Sequence, residues 1–451
     1  MDKLNLDKEF QVLFQEIQLS ITNDQINQTA KETGFVKRNT KLKPEYFLLL
    51  SSFLGESFGK KSLVQLCAQL CAIFNVELTA EGLNQRFNPR AVKFLRKIFQ
   101  SMFMSQLSDP IIENRLFNRI RILDSSSFDL PSEYTNYEGP NGSGVKIQLE
   151  YELYQGSFLN LLVQGGKESD SKYSKVIRDD IEPGDLCLRD LGYFSIDNLL
   201  DIHKRGGYFL SRLKNDMNLY QKNQDGEWEK IVLEKEAKKL VRGEVIELDG
   251  IRVGYRKKDP LITRVVIAKL TEEQEANRQA HLNKKKRKGK STLSAQKNIS
   301  VNIYVTNIPQ NMIQMEEIHL FYSLRWQIEI LFKTWKSLFE IHRVKKMKQE
   351  RFECHLYGTL IRLLLCSTLA FQCRRMLYMK HQVETSEYKS ISIAKECLSI
   401  FKADVLKQNS LVELCKKIYT SIKLNGRKCR KKKKQTVFDI LNIAYKQTVT
   451  A

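Results

Sequence analysis

Apolar and polar positions divide the chain into a helical beginning, a strand-rich middle and a helical end. From residue 1 to about residue 110, apolar residues recur at helical spacing. Two apolar segments, residues 61–74 and 80–87, are separated by a short connection, which is compatible with a helix-turn-helix unit but also with any small helical bundle. Further helices are predicted for residues 4–21, 46–54 and 90–103.

Near residue 119 the pattern changes to short strands between turn residues. Residues 119–124 and 185–190 are two β-like runs, and each is predicted to end in an aspartate, Asp124 or Asp190. Residues 145–153 alternate strictly between apolar and polar side chains, as a half-buried strand does, and pair in a predicted hairpin with the run that follows. The other predicted strands are residues 158–163, 207–213, 228–233, 244–248, 251–255, 261–270 and 301–305, with helices at 194–203 and from 271.

Helices dominate again after Pro309. Residues 356–371 are the most membrane-like run, but Arg362 interrupts it and it is short for a bilayer span, so we interpret it as a buried helix. The helices predicted here are residues 322–336, 351–380, 391–406, 409–423 and 436–446.

The patterns together predict an α/β protein of five consecutive units. These are a helical N-terminal domain (1–110), a mixed segment of strands and helices (111–214), a β-rich segment (215–308), a segment with the helix 322–336 (309–375) and a helical basic C-terminal region (376–451).

The segment 322–336 carries the most informative pattern. At about 100° per residue, its charged and phenolic side chains fall on one narrow stripe of a helix, and its apolar residues fill an adjacent arc. Trp335 lies in the apolar arc, whereas Trp326 lies close to the polar stripe. The stripe consists of Tyr322, Arg325, Glu329 and Lys336.

This stripe has two interpretations of about equal weight when the segment is taken alone. A carboxylate beside two cations and a phenol is suited to holding a metal ion next to a phosphodiester. The alternative is an exposed amphipathic helix whose charges contact only water.

Net charge favours the first interpretation. The chain has 74 Lys and Arg against 52 Asp and Glu, a formal charge of +22. Such an excess indicates a polyanionic partner, most simply nucleic acid, with acidic membrane surfaces as the competing partner. We therefore expect the N-terminal domain to bind DNA. Two basic runs, residues 284–290 and 427–434, are most simply solvated, and phosphate contact is their alternative role.

Cysteine and histidine usage argues against other classes of protein. The nine cysteines are an odd number at scattered positions, which does not indicate a disulfide framework. The six histidines and the cysteines have no zinc-finger spacing. The first residues are charged and lack an apolar signal region. We expect a reducing, cytoplasmic location.

Three acids are candidates for chemistry. Acids at neighbouring strand ends can converge with an acid from a packed helix, so Asp124, Asp190 and Glu329 together offer oxygen ligands for Mg²⁺ or Mn²⁺. Arg325 and Lys336 would then neutralise phosphate charge. Each acid also has a plain role, as a turn former, a helix cap or the partner of Arg325. Singly, these plain roles are preferred; jointly, and with the net charge, catalysis is favoured.

The motifs resemble those of a known family. The spacing Y-x₂-R-x₃-E-x₆-K that starts at Tyr322 resembles the Y-R-E-K signature of bacterial insertion-sequence transposases with a DDE active site, the insertion-sequence-four family. Residues 190–194, Asp-Leu-Gly-Tyr-Phe, resemble the segment with that family's second aspartate, and residues 123–128, Leu-Asp-Ser-Ser-Ser-Phe, the segment with its first. The Y-R-E-K spacing is the most specific of the three.

The resemblance implies an RNase H-like mixed-sheet catalytic core, with residues 111–214 as its first part, residues 215–308 as a β-rich insertion and residues 309–375 as its second part. It implies a transposase that cuts double-stranded DNA at terminal inverted repeats and joins the 3′ ends to target DNA, using two Mg²⁺ or Mn²⁺ ions. A homodimer in a paired-end complex is implied as well, in the bacterial cytoplasm at the nucleoid and away from membranes. The implied residues are the catalytic metal ligands Asp124, Asp190 and Glu329 and the DNA contacts Tyr322, Arg325 and Lys336.

Two other functions stay open at this stage. One is a catalytically inactive DNA-binding derivative of such an enzyme, which the presence of all three acids and their basic partners disfavours. The other is a structure-specific nuclease with the same core, which would cut junctions or hybrids without requiring a particular terminal sequence.

Overall fold

The structure is a computed structural model that describes most of the chain. The predicted helix 4–21 lies outside the described residues, as do the end of the basic run 284–290 and most of the run 427–434. The described residues are 22–38, 41–53, 58–104, 112–113, 115–131, 134, 136–254, 259–287, 300–400, 408–428, 437–441 and 444–445.

The N-terminal region is helical, as predicted, and its helices begin where the sequence supplies capping residues. The side chains of Thr22 and Ser62 each accept a hydrogen bond from the backbone N–H three residues later. The residue there is a glutamine, Gln25 or Gln65, whose side chain accepts a hydrogen bond from the backbone N–H of Thr22 or Ser62, which completes a capping box. Asn75 ends one helix in the left-handed conformation, with φ of 54°. The helices described in this region are Asn23–Glu32, Pro44–Ser52, Leu63–Phe74, Ala80–Arg86 and Pro89–Met104.

A mixed β-sheet forms the centre of the molecule. The described strands are β1 (Ile112–Glu113), β2 (Ile120–Asp129), β3 (Glu138–Gly139), β4 (Gly142–Glu152), β5 (Ser157–Gly165), β6 (Leu186–Arg189), β7 (Tyr208–Arg212), β8 (Leu219–Lys222), β9 (Trp228–Lys230), β10 (Val245–Val253), β11 (Leu261–Lys269), β12 (Val301–Thr306) and β13 (Ala444–Tyr445). The strands of the central sheet run in the order β3-β4-β2-β6-β7-β12-β11-β10-β8-β9, and β5 also pairs with β4.

Five of these strands have the RNase H-like arrangement. β2, β4 and β5 form an antiparallel meander, in which β4 is central. On the edge of β2 that does not face β4, β6 pairs with β2 in parallel, and β7 pairs in parallel with β6. The parallel strands are connected through the helices Asp170–Val176 and Ile196–Lys204, as parallel pairing requires. The predicted fold class is therefore confirmed.

The strands of residues 215–308 continue this sheet beyond β7. β12 pairs antiparallel with β7, β11 with β12 and β10 with β11. β8 and β9 then complete the edge. The segment is β-rich, as predicted, but it extends the core sheet, a continuity that the sequence did not reveal. The boundaries of the five predicted units stay a prediction.

β2 is longer than predicted. The sequence predicted that the strand ends at Asp124, but the serines after it continue the antiparallel ladder with β4 as far as Asp129. Parallel pairing with β6, in contrast, stops at the pair Leu123 and Arg189. Asp124 therefore lies inside a strand, yet directly beyond the end of the β2–β6 ladder.

Three predictions in other parts of the sheet and at the C-terminus agree with the structure only in part. Of the strand predicted for residues 228–233, residues 228–230 form β9, and a helix rich in the good helix formers Glu, Ala and Lys, Leu233–Lys239, begins at its last residue. The two strands predicted between residues 244 and 255 are the single strand β10. The helix predicted for residues 436–446 is shorter and gives way to β13, which pairs with β1.

The segment predicted as one helix over residues 322–336 is two helices, Ile318–Ser323 and Trp326–Ser337. At the junction, the backbone N–H groups of Leu324 and Arg325 each bond to the carbonyl three residues earlier. This tighter 3₁₀-type turn interrupts the α-helical register. Arg325 consequently precedes the first turn of the second helix instead of lying in the middle of a longer one.

The helix Gln349–His381 joins the N- and C-terminal regions. It is long and apolar enough to cross a membrane, but 89% of its most apolar window is buried inside the protein, in agreement with the buried helix predicted at residues 356–371. A Cβ at Gly358 would lie 2.3 Å from the Ser51 carbonyl oxygen, so glycine permits the close approach of Pro44–Ser52. The C-terminal helices are Glu387–Ile400, Gln408–Asn425 and Val437–Leu441.

The helix Trp326–Ser337 packs on the sheet through Trp335. This side chain is 1% exposed, and its ring contacts those of Phe158 from β5 and Phe332. Trp326, at the start of the same helix, is 56% exposed. Both positions agree with the helical pattern of the sequence.

We expect Trp335→Ala to lower the free energy of unfolding by about 3–5 kcal/mol, because it removes a buried ring and leaves a cavity. Trp326→Ala is the matched control and should cost less than about 1 kcal/mol, the order of its ring contact with Arg325. Urea denaturation followed by circular dichroism measures both. Equal losses in the two variants would contradict this packing.

Candidate active site

Strand register brings two of the candidate acids side by side. The last parallel pair between β2 and β6 is Leu123 with Arg189, so the next residues on the two strands are Asp124 and Asp190. Asp190 directly follows the last residue of β6 and is the N-cap of a single 3₁₀ turn, Leu191–Tyr193. The two aspartates are therefore neighbours at the point where the two strands separate.

The guanidinium of Arg325 joins all three acids. Its Nη1 donates to Asp124 Oδ2 at 3.0 Å and its Nη2 to Glu329 Oε1 at 2.7 Å. Its Nε lies 4.0 Å from Asp190 Oδ1, an ion pair without a direct hydrogen bond. Three nitrogens of one side chain thus face three carboxylates that are remote from one another in sequence. Arg325 itself is 7% exposed.

Burial and mutual repulsion act on the acids together. Burial raises the pKa of Asp124 to about 6, and the negative charges of Asp190 and Glu329 act in the same direction. The Ser125 backbone N–H, 2.8 Å from Asp124 Oδ1, and Arg325 oppose this increase. For Asp124, burial therefore outweighs the opposing contacts with Ser125 and Arg325.

Tyr322 and Lys336 flank this cluster. Tyr322 is 6% exposed, and its ring centroid lies 6.0 Å from the Arg325 guanidinium; burial raises the pKa of its phenol to about 12. Lys336, in the last turn of its helix, donates from Nζ to the Ser127 carbonyl at 3.0 Å. Partial burial lowers the pKa of Lys336. Three side chains of the predicted stripe, those of Arg325, Glu329 and Lys336, therefore lie near the Asp124 region of β2. The Tyr322 ring packs against Tyr304 of β12.

The donor set fits a divalent cation in its chemistry, because carboxylate oxygens are the ligands that Mg²⁺ and Mn²⁺ prefer. The convergence on Arg325 also shows that this point accepts positive charge. Within the described residues, however, no three acidic, histidine or cysteine side chains are grouped closely enough to hold an ion as they stand. We attribute this spacing to the guanidinium of Arg325, which lies between the acids.

One acid near the site was missed by the sequence reasoning. Asp170 is the first residue of the helix Asp170–Val176, and its carboxylate accepts a hydrogen bond from Ser125, the neighbour of Asp124. In the sequence, Ser169-Asp170 has only the signal of an ordinary helix start. Its position below the site follows from tertiary packing.

Comparison with known proteins identifies the family. Residues 115–365 match the family described as Transposase DDE domain. The chain is 38% identical to the transposase for insertion sequence element IS231C from Bacillus thuringiensis subsp. berliner, over 98% of this chain and 97% of that protein. It is 36% identical to the transposase for insertion sequence element IS1151 from Clostridium perfringens, over 97% of each chain.

Among solved structures, the chain is similar to the piggyBac transposase in a synaptic complex with hairpin DNA, with 9% sequence identity, 96% of this chain and 87% of that chain covered, and a TM-score of 0.47.

The family resemblance inferred from the Y-R-E-K spacing is thus confirmed over almost the whole length of the chain. The matched residues span more than half of the chain and contain all three candidate acids. The protein belongs to the DDE transposases of bacterial insertion sequences, enzymes that use divalent metal ions to cleave DNA and transfer the cut strand.

Proposed function

We propose that this protein cuts at the terminal inverted repeats of an insertion sequence and joins the freed 3′ ends to target DNA, with Asp124, Asp190 and Glu329 as its catalytic residues. The observation that best supports this is the contact of all three acids with the single guanidinium of Arg325. Three acids at one point repel one another unless a cation lies among them. A site that binds divalent ions to cleave DNA accounts for such a group of acids.

We further propose that the three carboxylates bind two divalent ions, Mg²⁺ or Mn²⁺. When bound, such ions lower the pKa of the attacking water or 3′-hydroxyl and neutralise the departing oxygen. The protein contributes the positions of the ligands. Asp124 and Asp190 are held by adjacent strands, and Glu329 by a helix whose Trp335 is buried against the sheet.

Arg325 has two roles in this proposal. Without metal, its guanidinium offsets the repulsion among the acids. When metal ions take that role, the same planar group is free to turn toward a phosphate, which it can bind through two parallel hydrogen bonds. Lys336 and Tyr322 would contact phosphates of the same DNA end. Lys336 lies beside β2 and supplies a point charge, and the Tyr322 phenol supplies a donor.

The proposed partner is double-stranded DNA, bound by two copies of the chain in the bacterial cytoplasm. The charge of +22 supports DNA as the partner, because cations that neutralise phosphates provide affinity for any DNA sequence. Joining two ends in one event requires two active sites, and each chain has one set of acids. We therefore propose a homodimer that holds paired ends, with the N-terminal helices as DNA contacts.

We expect Asp124→Asn, Asp190→Asn and Glu329→Gln each to reduce cleavage of inverted-repeat DNA by at least about 10³-fold, because loss of a ligand removes several kcal/mol of transition-state stabilisation. DNA affinity should stay within about threefold of that of the unmodified protein, since the amides keep the shape of the site. Gel assays with end-labelled DNA and Mg²⁺ or Mn²⁺ measure both quantities.

Asp179→Asn is the control for this series. Asp179 is a surface acid, and its ion pairs are with Arg205 and Arg178. The control should cleave normally. Normal cleavage by one of the three variants would remove that residue from the active site, whereas cleavage without any requirement for inverted repeats would favour a structure-specific nuclease.

We expect Lys336→Ala to weaken binding of the DNA end and to reduce the slope of log affinity against log salt concentration by about 1, the value for one phosphate contact. Lys333→Ala, on the exposed side of the same helix, is the matched control and should leave the slope unchanged. Fluorescence anisotropy between low and moderate salt measures the slope. Identical slopes for all three proteins would exclude a phosphate contact by Lys336.

We expect Arg325→Ala to destabilise the protein in EDTA by about 1–3 kcal/mol, because buried carboxylates lose their shared counter-ion while two of them stay partly solvated. The increase in melting temperature caused by Mn²⁺ should then be larger than in the unmodified protein, since no guanidinium competes with the metal. Differential scanning calorimetry measures both. An unchanged response to Mn²⁺ would contradict the competition between Arg325 and metal.

A further inference from the structure

We propose that Asp170 is a positioning residue that sets the spacing between Asp124 and Asp190. The inference rests on the proposed function, because the spacing matters only if the two aspartates share bound metal. Asp170 belongs neither to the Y-R-E-K stripe nor to the two aspartate motifs. It lies at the start of the helix Asp170–Val176, which follows β5.

One oxygen of Asp170 collects three hydrogen bonds. Its Oδ1 accepts from Gln148 Nε2 at 2.8 Å, from Lys146 Nζ at 3.1 Å and from Ser125 Oγ at 3.2 Å. Ser125 is on β2, and the two other donors are on β4. The carboxylate therefore links two neighbouring strands of the sheet at the level of Asp124.

The same network reaches the second aspartate. Gln148 Oε1 accepts a hydrogen bond from the Tyr193 hydroxyl, and Tyr193 ends the 3₁₀ turn that begins after Asp190. Gln148 is 0% exposed and Tyr193 is 2% exposed, so this bond is shielded from water. The backbone of the turn also touches the acid, because a Cβ at Gly192 would lie 3.2 Å from Asp170 Oδ2.

Strand geometry puts this network behind the acids. Successive residues of a strand point to opposite faces of the sheet, so Ser125 faces away from the side on which Asp124 contacts Arg325. Register agrees, because Ser125 is paired directly with Gln148. From this opposite face, the network thus holds Asp124 through Ser125, and it holds Asp190 through the turn Leu191–Tyr193.

A fixed spacing is what a metal site requires. Ligands have to be held to within about 0.5 Å of the productive geometry, and hydrogen-bonded partners behind the ligands commonly change metal affinity by about 10–100-fold. Asp170 is suited to this task, because hydrogen bonds to a charged acceptor are about twice as strong as neutral ones. The competing role is an acid that only stabilises the N-terminus of its own short helix.

Metal binding distinguishes the two roles. We expect Asp170→Ala to raise the Mn²⁺ concentration that gives half of the maximal shift in melting temperature by about tenfold or more. Asp170→Asn keeps an acceptor oxygen but loses the charge, so its effect should be intermediate. The affinity for inverted-repeat DNA without metal should stay unchanged. The control is Asp201→Ala, which removes a partly buried acid of the helix Ile196–Lys204 that forms an ion pair with Arg178.

A second variant tests the path to Asp190 and does not depend on the folding of Asp170→Ala. Tyr193→Phe removes only the hydroxyl that bonds to Gln148, and it should raise the same Mn²⁺ midpoint. In the double variant of Tyr193→Phe and Asp170→Asn, the rise in the Mn²⁺ midpoint should be smaller than the combined rise of the two single variants, because both substitutions interrupt one network. Strictly additive effects would mean that the two residues act separately.

The two hypotheses fail in different ways. If Asp124→Asn leaves the Mn²⁺ response unchanged, the proposed metal site is wrong. If Asp124→Asn abolishes the response while Asp170→Ala and Tyr193→Phe keep the midpoint of the unmodified protein, the metal site stands and the positioning role of Asp170 is wrong. A fall in melting temperature in EDTA with an unchanged Mn²⁺ midpoint would assign Asp170 to helix stability alone.

Discussion

The ion contacts of Arg325 are the interaction on which this site depends. Three carboxylates at one point of a sheet repel one another, and burial makes the charge of Asp124 more costly than it is in water. A single guanidinium is able to serve all three because its nitrogens diverge in one plane, a geometry that a lysine ammonium lacks.

Two local features of the fold allow Arg325 to make these contacts. The 3₁₀ junction between the helices Ile318–Ser323 and Trp326–Ser337 places Arg325 before the first turn, while Glu329 follows one turn later on the same face. The β2–β6 ladder ends one residue before the two aspartates. Together, these two features bring Arg325 within reach of all three acids.

The sequence could predict what periodicity and motif spacing determine. The strict alternation of residues 145–153 predicted β4, and the spacing from Tyr322 to Lys336 predicted the family. It could not predict features that depend on partners distant in sequence. The serines after Asp124 have the composition of a turn, yet pairing with β4 keeps them in a strand. Asp170 looks like an ordinary helix start because its three donors come from other strands.

β2 therefore separates two polar systems with opposite requirements. On one face, Asp124, Asp190 and Glu329 surround the guanidinium of Arg325, the cluster for which we propose metal and phosphate binding. On the other face, Asp170 has three donors and Gln148 is completely buried, so that network is rigid. A cluster of like charges would relax by moving its members apart unless they were fixed from behind. Because β2 alternates between the two faces, one strand supplies both the proposed catalytic acid Asp124 and, through Ser125, the proposed anchor that resists its displacement.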